Sequence, residues 1–185
     1  WFSIFLMWVY TTSGIAQNVW HVLPTDSVSA EFNAAGNWTG VIFAAYSLFA
    51  ALFSLVMPKI ANKIGRKATY RYSLLLGGLS LLSMIFIHNQ YVLLLAMVGV
   101  GISWAAILAM PYAILSAPLP ASKMGVYMGL FNATITIPQI AAGIFGGIIL
   151  TLLGGHAILM LGVAGVSMVV AGLSVLFVHD KYEIR

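Results

Sequence analysis

Six unbroken apolar stretches, each near the ~20 residues a helix needs to cross a ~30 Å hydrocarbon core, decide what this chain can become. They cover residues 2–22, 37–57, 70–87, 91–115, 125–153 and 157–178. The runs are continuous rather than alternating and are too long for strands, which favours helices over a barrel. Short connectors separate them, most carrying breakers: Pro24, Pro58, Pro118, Pro120 and the pair Gly154-Gly155. A soluble domain is about a quarter charged, whereas only 6% of these residues are, and 62% are hydrophobic. No water-facing surface can be assembled from so few ions, so the expectation is an all-α membrane protein with six transmembrane helices. Cysteine is absent, which excludes disulfides and thiolate metal sites. Trp1 stands where an initiator Met would, with no charged segment before the first apolar run, so the start reads as internal to a longer chain.

Charge sorts by side. Lys59, Lys63, Arg66, Lys67 and Arg71 lie between stretches two and three, Lys123 between four and five, and Lys181 and Arg185 after six. These are all eight Lys and Arg residues of the chain. The opposite connectors hold Asp26, Glu31, "HNQ" at 88–90 and "GGH" at 154–156, without Lys or Arg. The positive-inside rule then puts both ends, the loop 58–69 and the tail 179–185 in the cytosol, with a multi-pass protein in the plasma (inner) membrane. A net charge of +4 distributed in this way has the bilayer as its partner and calls for no nucleic acid.

Polar residues inside the stretches are uneven. Stretch one carries Tyr10, Thr11, Thr12, Gln17 and Asn18; two carries Tyr46 and Ser47; four carries Ser103, Trp104 and Tyr112; five carries Asn132, Thr134, Thr136 and Gln139. Three and six offer little beyond Ser80, Ser83, Ser167 and Ser174. A three-helix unit used twice, with two helices of each near a wet path and the third facing lipid, gives this period. Asn132, Thr136 and Gln139 fall at i, i+4 and i+7 and therefore share one helical stripe. Such groups also serve as glue between membrane helices, at ~0.6 to 2 kcal/mol each.

The segment "PKIANKIGRK" at 58–67 resembles the cytoplasmic motif G-x-x-x-D-R-x-G-R-R/K of the major facilitator superfamily. Gly65, Arg66 and Lys67 match its last three positions and Lys63 its basic site, while Pro58 and Asn62 replace the first Gly and the Asp. The run "PYAILSAPLPASKMGVYMGLFNATITIPQ" at 111–139 resembles the region joining helices ten and eleven in sucrose- and maltose-type sugar transporters, relatives of the glycoside-pentoside-hexuronide:cation symporters. Pro111, Tyr112, Ala113, Gly125, Gly129, Asn132, Pro138 and Gln139, with "GISW" just ahead, carry that similarity.

This resemblance implies the C-terminal six-helix half, helices seven to twelve, of a twelve-helix fold. Its N-terminal half would lie outside these residues. It also implies secondary active transport of an oligosaccharide or disaccharide by alternating access, with a coupling cation, a proton, in symport. Stretches one and four would line the cavity and two and five flank it. Tyr10, Gln17, Asn18, Trp104, Tyr112, Asn132, Thr136 and Gln139 would then contact sugar, and Lys63, Gly65, Arg66 and Lys67 would form the gating motif. Gly14, Gly99, Gly101 and Gly129 would let helices approach and rock. No cofactor, metal or enzymatic activity is expected; a non-transporting sensor or scaffold on the same fold and a homodimeric half-size carrier are the other readings.

Overall fold

The computed structural model describes residues 1–116, 120 and 123–179. Among the described residues six α-helices follow one another: α1 Phe2–Val19, α2 Ala30–Ile64, α3 Arg66–Ser83, α4 Leu93–Ser116, α5 Met124–Leu152 and α6 Ala157–Ser174. Single 3-10 turns, Met84–Phe86 and Val175–Phe177, extend α3 and α6. Among the described residues there is no strand. Among the described residues four helices, α2, α4, α5 and α6, are long and apolar enough to cross a membrane, where the sequence predicts six such spans. The other two, α1 and α3, have 18 residues each and carry Gln17 and Asn18, or Arg66, Lys67 and Arg71, within their bounds.

Several boundaries differ from the apolar stretches, each for a local reason. α1 ends early because the Val22 N–H returns to the Ala16 carbonyl and His21 takes a left-handed φ of 55°. α2 begins early because Ser29 Oγ accepts the Phe32 N–H at 3.2 Å, an N-cap, and Glu31 sits in the positive first turn. The segment 58–69, expected as a loop, is helix on both sides of Gly65. Pro58 removes one hydrogen bond without ending α2, since Met57 and Ala61 on either side of it bury against Ala106 and Met110 of α4. The chain turns instead at Gly65, whose φ of 90° a side chain would strain. Pro118, Asp180, Lys181, Glu183 and Arg185 lie outside the described residues.

α3 packs along α4 and α6, α1 along α6, and α2 along α4. At the α3–α6 crossing a Cβ on Gly78 would meet the Gly165 carbonyl at 2.8 Å, so the backbones touch almost directly. The core is apolar, centred on Leu6, Met7, Leu81, Met97 and Leu161. So is much of the outside, where Leu48, Leu55, Leu79, Leu95 and Ile144 are exposed. A soluble monomer rarely shows apolar patches on this scale, and lipid is the solvent that suits them. α5 is the least embedded helix: only Ala142 and Gly146 along it are buried, against α1.

Candidate functional site

Trp104, on α4, is the hub of an aromatic cluster. Trp1 and Trp8 of α1 and its leading end, with Tyr46 of α2, meet it edge-on, with ring centroids 5.7, 5.4 and 6.5 Å away. Trp8 Nε1 donates to Tyr46 Oη at 3.2 Å, which satisfies both polar tips. Beside this cluster a cavity of about 370 Å³ opens between α2 and α4, bounded by Trp104, Ser47, Ala50, Ser54, Met57 and Leu108. The small side chains make the room and the indole bounds it. Ser47 and Ser54 donate to the carbonyls of Phe43 and Ala51, leaving their oxygen lone pairs able to accept.

A second polar group joins α4 to the first half of α5. Tyr112 Oη donates to Asn132 Oδ1 at 3.3 Å, and the Tyr112 ring meets Phe131 edge-on at 4.8 Å. Thr136 Oγ1 donates to the Asn132 carbonyl at 3.1 Å. Asn132 and Thr136 are exposed and Gln139 is half-buried one turn further on. Among the described residues neither the Asn132 amide nitrogen nor the Gln139 side chain has a hydrogen-bond partner. The shared stripe expected from spacing is present, and Tyr112 joins it from the neighbouring helix.

Two other candidates lie elsewhere and are occupied. Gln17 Nε2 donates to the Gly155 carbonyl at 3.1 Å while its Oε1 accepts the Ala157 N–H at 2.7 Å, clamping the start of α6. Asn18 Nδ2 donates to the Ile87 carbonyl at 2.9 Å, with Met84 and Ile85 carbonyls each at 3.4 Å. Both bind backbone that the helix ends leave unsatisfied. They sit at the Leu152 end of α5, roughly 30 Å of helix from Asn132. Tyr10 lies between, its hydroxyl 2.8 Å from where a Cβ on Gly146 would stand. Seven of the eight residues named from sequence thus divide between the Trp104 cavity, the Tyr112–Asn132 stripe and a helix-end clamp, and Tyr10 stands apart against α5. Trp8 and Tyr46, which complete the cluster, went unchosen; the i, i+7 spacing of Trp1 and Trp8 was the available signal.

At the opposite end of the bundle the Gly65 motif also acts on helix termini. Arg66 Nη1 donates to the Ala113 carbonyl near the end of α4 at 2.8 Å, and Lys67 Nζ to the Leu176 carbonyl after α6 at 2.8 Å. Cations at helix C-termini answer both the unpaired carbonyls and the helix dipole. Lys63 is exposed on the last turn of α2. Among the described residues no three His, Cys, Asp or Glu side chains converge as a metal site.

These features define a class first: a helical bundle with an apolar exterior and with polar groups at helix ends and beside α4 at the Trp104 cavity and the Tyr112–Asn132 contact. The sequence model of the Major Facilitator Superfamily matches residues 2–184, and the chain belongs to that superfamily. It is an integral membrane protein. An uncharacterized MFS-type transporter of Methanocaldococcus jannaschii is 24% identical over 153 residues, which are 82% of this chain and 39% of that protein. The chain therefore spans about two fifths of the length of the curated relative it matches. No solved structure matches it significantly.

Proposed function

We propose that this chain is the C-terminal six-helix half of a secondary active transporter that moves a sugar, an oligosaccharide or disaccharide, by alternating access with proton symport. All six helices cross the membrane in this reading, α3 and α6 lengthened by their 3-10 turns, and both ends are cytosolic. Two three-helix repeats are supported by the pairings: exchanging α1 with α4 and α3 with α6 turns the α3–α4 contact into α1–α6. The same exchange turns α2–α4 into α1–α5, where the contact is looser. The exposed sides of α2 and α5 leave room for an N-terminal half, in keeping with the two-fifths span of the relative.

The observation that carries the reading is that, among the described residues, the Asn132 amide nitrogen and the Gln139 side chain have no hydrogen-bond partner, on the helix with the least burial. Uncompensated amides in hydrocarbon cost several kcal/mol, so this stripe belongs on a wet path rather than against lipid. Amides there can bind sugar hydroxyls, and the Trp104 cavity offers an aromatic wall for a pyranose. Tyr112, Asn132, Thr136, Gln139 and Trp104 are the sugar contacts this geometry favours. Gln17 and Asn18 hold the scaffold around them.

The test is uptake and binding of a disaccharide panel by the intact transporter in proteoliposomes under an inward proton gradient. Asn132→Ala and Gln139→Ala should each weaken sugar binding about tenfold, the size of one lost hydrogen bond to a desolvated group, with expression unchanged. Unchanged binding and uptake in both variants would make the stripe a packing feature and remove the sugar site from α5.

A further inference from the structure

The bundle carries a second concavity that shares no lining residue with the Trp104 cavity. It is an apolar groove of about 200 Å³ between the last turns of α2 and the first turns of α3. Phe53, Ile60 and Ile64 form one wall, Tyr72 and Leu76 the other, and Ile102 of α4 the floor. The walls arise from helical spacing: Ile60 and Ile64 are one turn apart on α2, Tyr72 and Leu76 one turn apart on α3. Gly65 joins the two helices directly after Ile64, so one mouth of the groove lies beside this turn.

Cations stand at that mouth. The Arg71 guanidinium lies 4.6 Å from the centroid of the Tyr72 ring, a groove wall, and donates to Tyr72 Oη at 2.7 Å. This contact fixes the guanidinium in place and engages one of its five N–H donors. Lys63 immediately precedes Ile64, is exposed, and among the described residues has no hydrogen-bond or ionic partner. Their neighbours Arg66 and Lys67 are committed to helix ends, which separates a structural pair of cations from a pair left at the surface. No carboxylate among the described residues neutralises them: Glu31 is in the first turn of α2 and Asp26 precedes that helix, both at its far end.

We propose that this groove and its cationic mouth form a binding site for an anionic phospholipid, with the phosphate held by Lys63 and Arg71 and an acyl chain lying along Ile60, Ile64, Tyr72 and Leu76. Charge complementarity selects the occupant. A zwitterionic lipid brings a phosphate but also an ammonium that the two cations repel, whereas an anionic headgroup brings net negative charge to meet them. The site rests on the chain being embedded in a bilayer and not on sugar transport, so it stands or falls separately from that reading. Basic side chains beside a transmembrane helix each strengthen anionic-lipid binding several-fold, and a guanidinium adds bidentate geometry.

The experiment is native mass spectrometry of the intact protein released from neutral detergent after titration with palmitoyl-oleoyl phosphatidylglycerol or its phosphatidylcholine counterpart. The wild type should retain phosphatidylglycerol at least tenfold more tightly. The double variant K63Q/R71Q should lose that preference, while K123Q, which removes a charge from another segment, should keep it; circular dichroism melts confirm that both fold. Equal binding of the two lipids by the wild type overturns the proposal. So does an equal loss in K123Q, which would mean diffuse attraction rather than a site. A third arm adds inorganic phosphate: full displacement of the lipid at millimolar phosphate would show a simple anion site without an acyl groove and would also overturn it.

Discussion

Asn18 and Gly65 show how single residues hold this bundle. One amide of Asn18 reaches three carbonyls at the end of α3, and no other residue type of that size offers a donor there without also adding charge. Asn18→Ala should cost about 1–2 kcal/mol, read as a lower thermal midpoint in detergent, with little change in affinity for any transported sugar. A fall in affinity with the midpoint unchanged would return Asn18 to the binding site. Gly65 holds a φ of 90° and ψ of 153°, so Gly65→Val should cost about 1–3 kcal/mol of backbone strain and displace Arg66 from the Ala113 carbonyl. Lys59→Ala, an exposed change, should stay within about 0.5 kcal/mol. Equal melting of the two variants would mean that the turn does not depend on glycine. The sequence displayed Gln17 and Asn18 as amides in an apolar run, but a donor aimed at a sugar and a donor aimed at a helix end are the same residue type. Only the neighbouring backbone separates them.

At the scale of the helix, packing rather than polarity distinguishes the six. The length of the apolar runs made the helices legible, though among the described residues only α2, α4, α5 and α6 are long and apolar enough to cross a membrane. Which faces meet was less legible, as four glycines with a shared expected role make plain. A Cβ on Gly101 would lie 2.5 Å from the Tyr46 carbonyl and 2.9 Å from the Ala50 nitrogen, both backbone atoms that cannot rotate away. A Cβ on Gly99 would likewise run into Ser80 Oγ, and one on Gly14 would lie 3.2 Å from Ile158 Cα. Gly129 has nothing within 4 Å. Gly101→Leu should therefore force α2 from α4 and cost about 2 kcal/mol or more, whereas Gly129→Ala should be neutral or stabilise by up to ~1 kcal/mol through helix propensity. Thermal midpoints of the two variants check the pair; a destabilised Gly129→Ala would place an unseen neighbour against α5. Pro58 likewise read as a breaker from sequence, since the Met57 and Ala61 contacts that carry α2 past it come from a helix some fifty residues away.

For the molecule as a whole, the distribution of carboxylates limits what these residues can do alone. Asp26 and Glu31 lie at the α1–α2 corner, and Asp180 and Glu183 follow α6. None falls within the apolar stretches, and α4, α5 and α6 hold no acidic residue at all. Coupling a cation gradient to a conformational change needs a group whose charge changes inside the pathway, because only such a group makes one state more stable when the ion is bound. His21 is exposed at the turn after α1, away from the Tyr112–Asn132 stripe, and has the wrong position for that task. In the proposed half-transporter the exposed flanks of α2 and α5 would face the other half, since a cavity needs walls on both sides. Residues 1–185 reconstituted alone in liposomes should accordingly show no gradient-driven accumulation of any disaccharide, while the intact gene product should accumulate at least one under an inward proton gradient. Co-reconstitution of the separately expressed N-terminal half should restore uptake, as both halves then face one cavity. Accumulation by residues 1–185 alone, with a dimer found by light scattering in detergent, would establish a half-size carrier instead and move the coupling group into this chain.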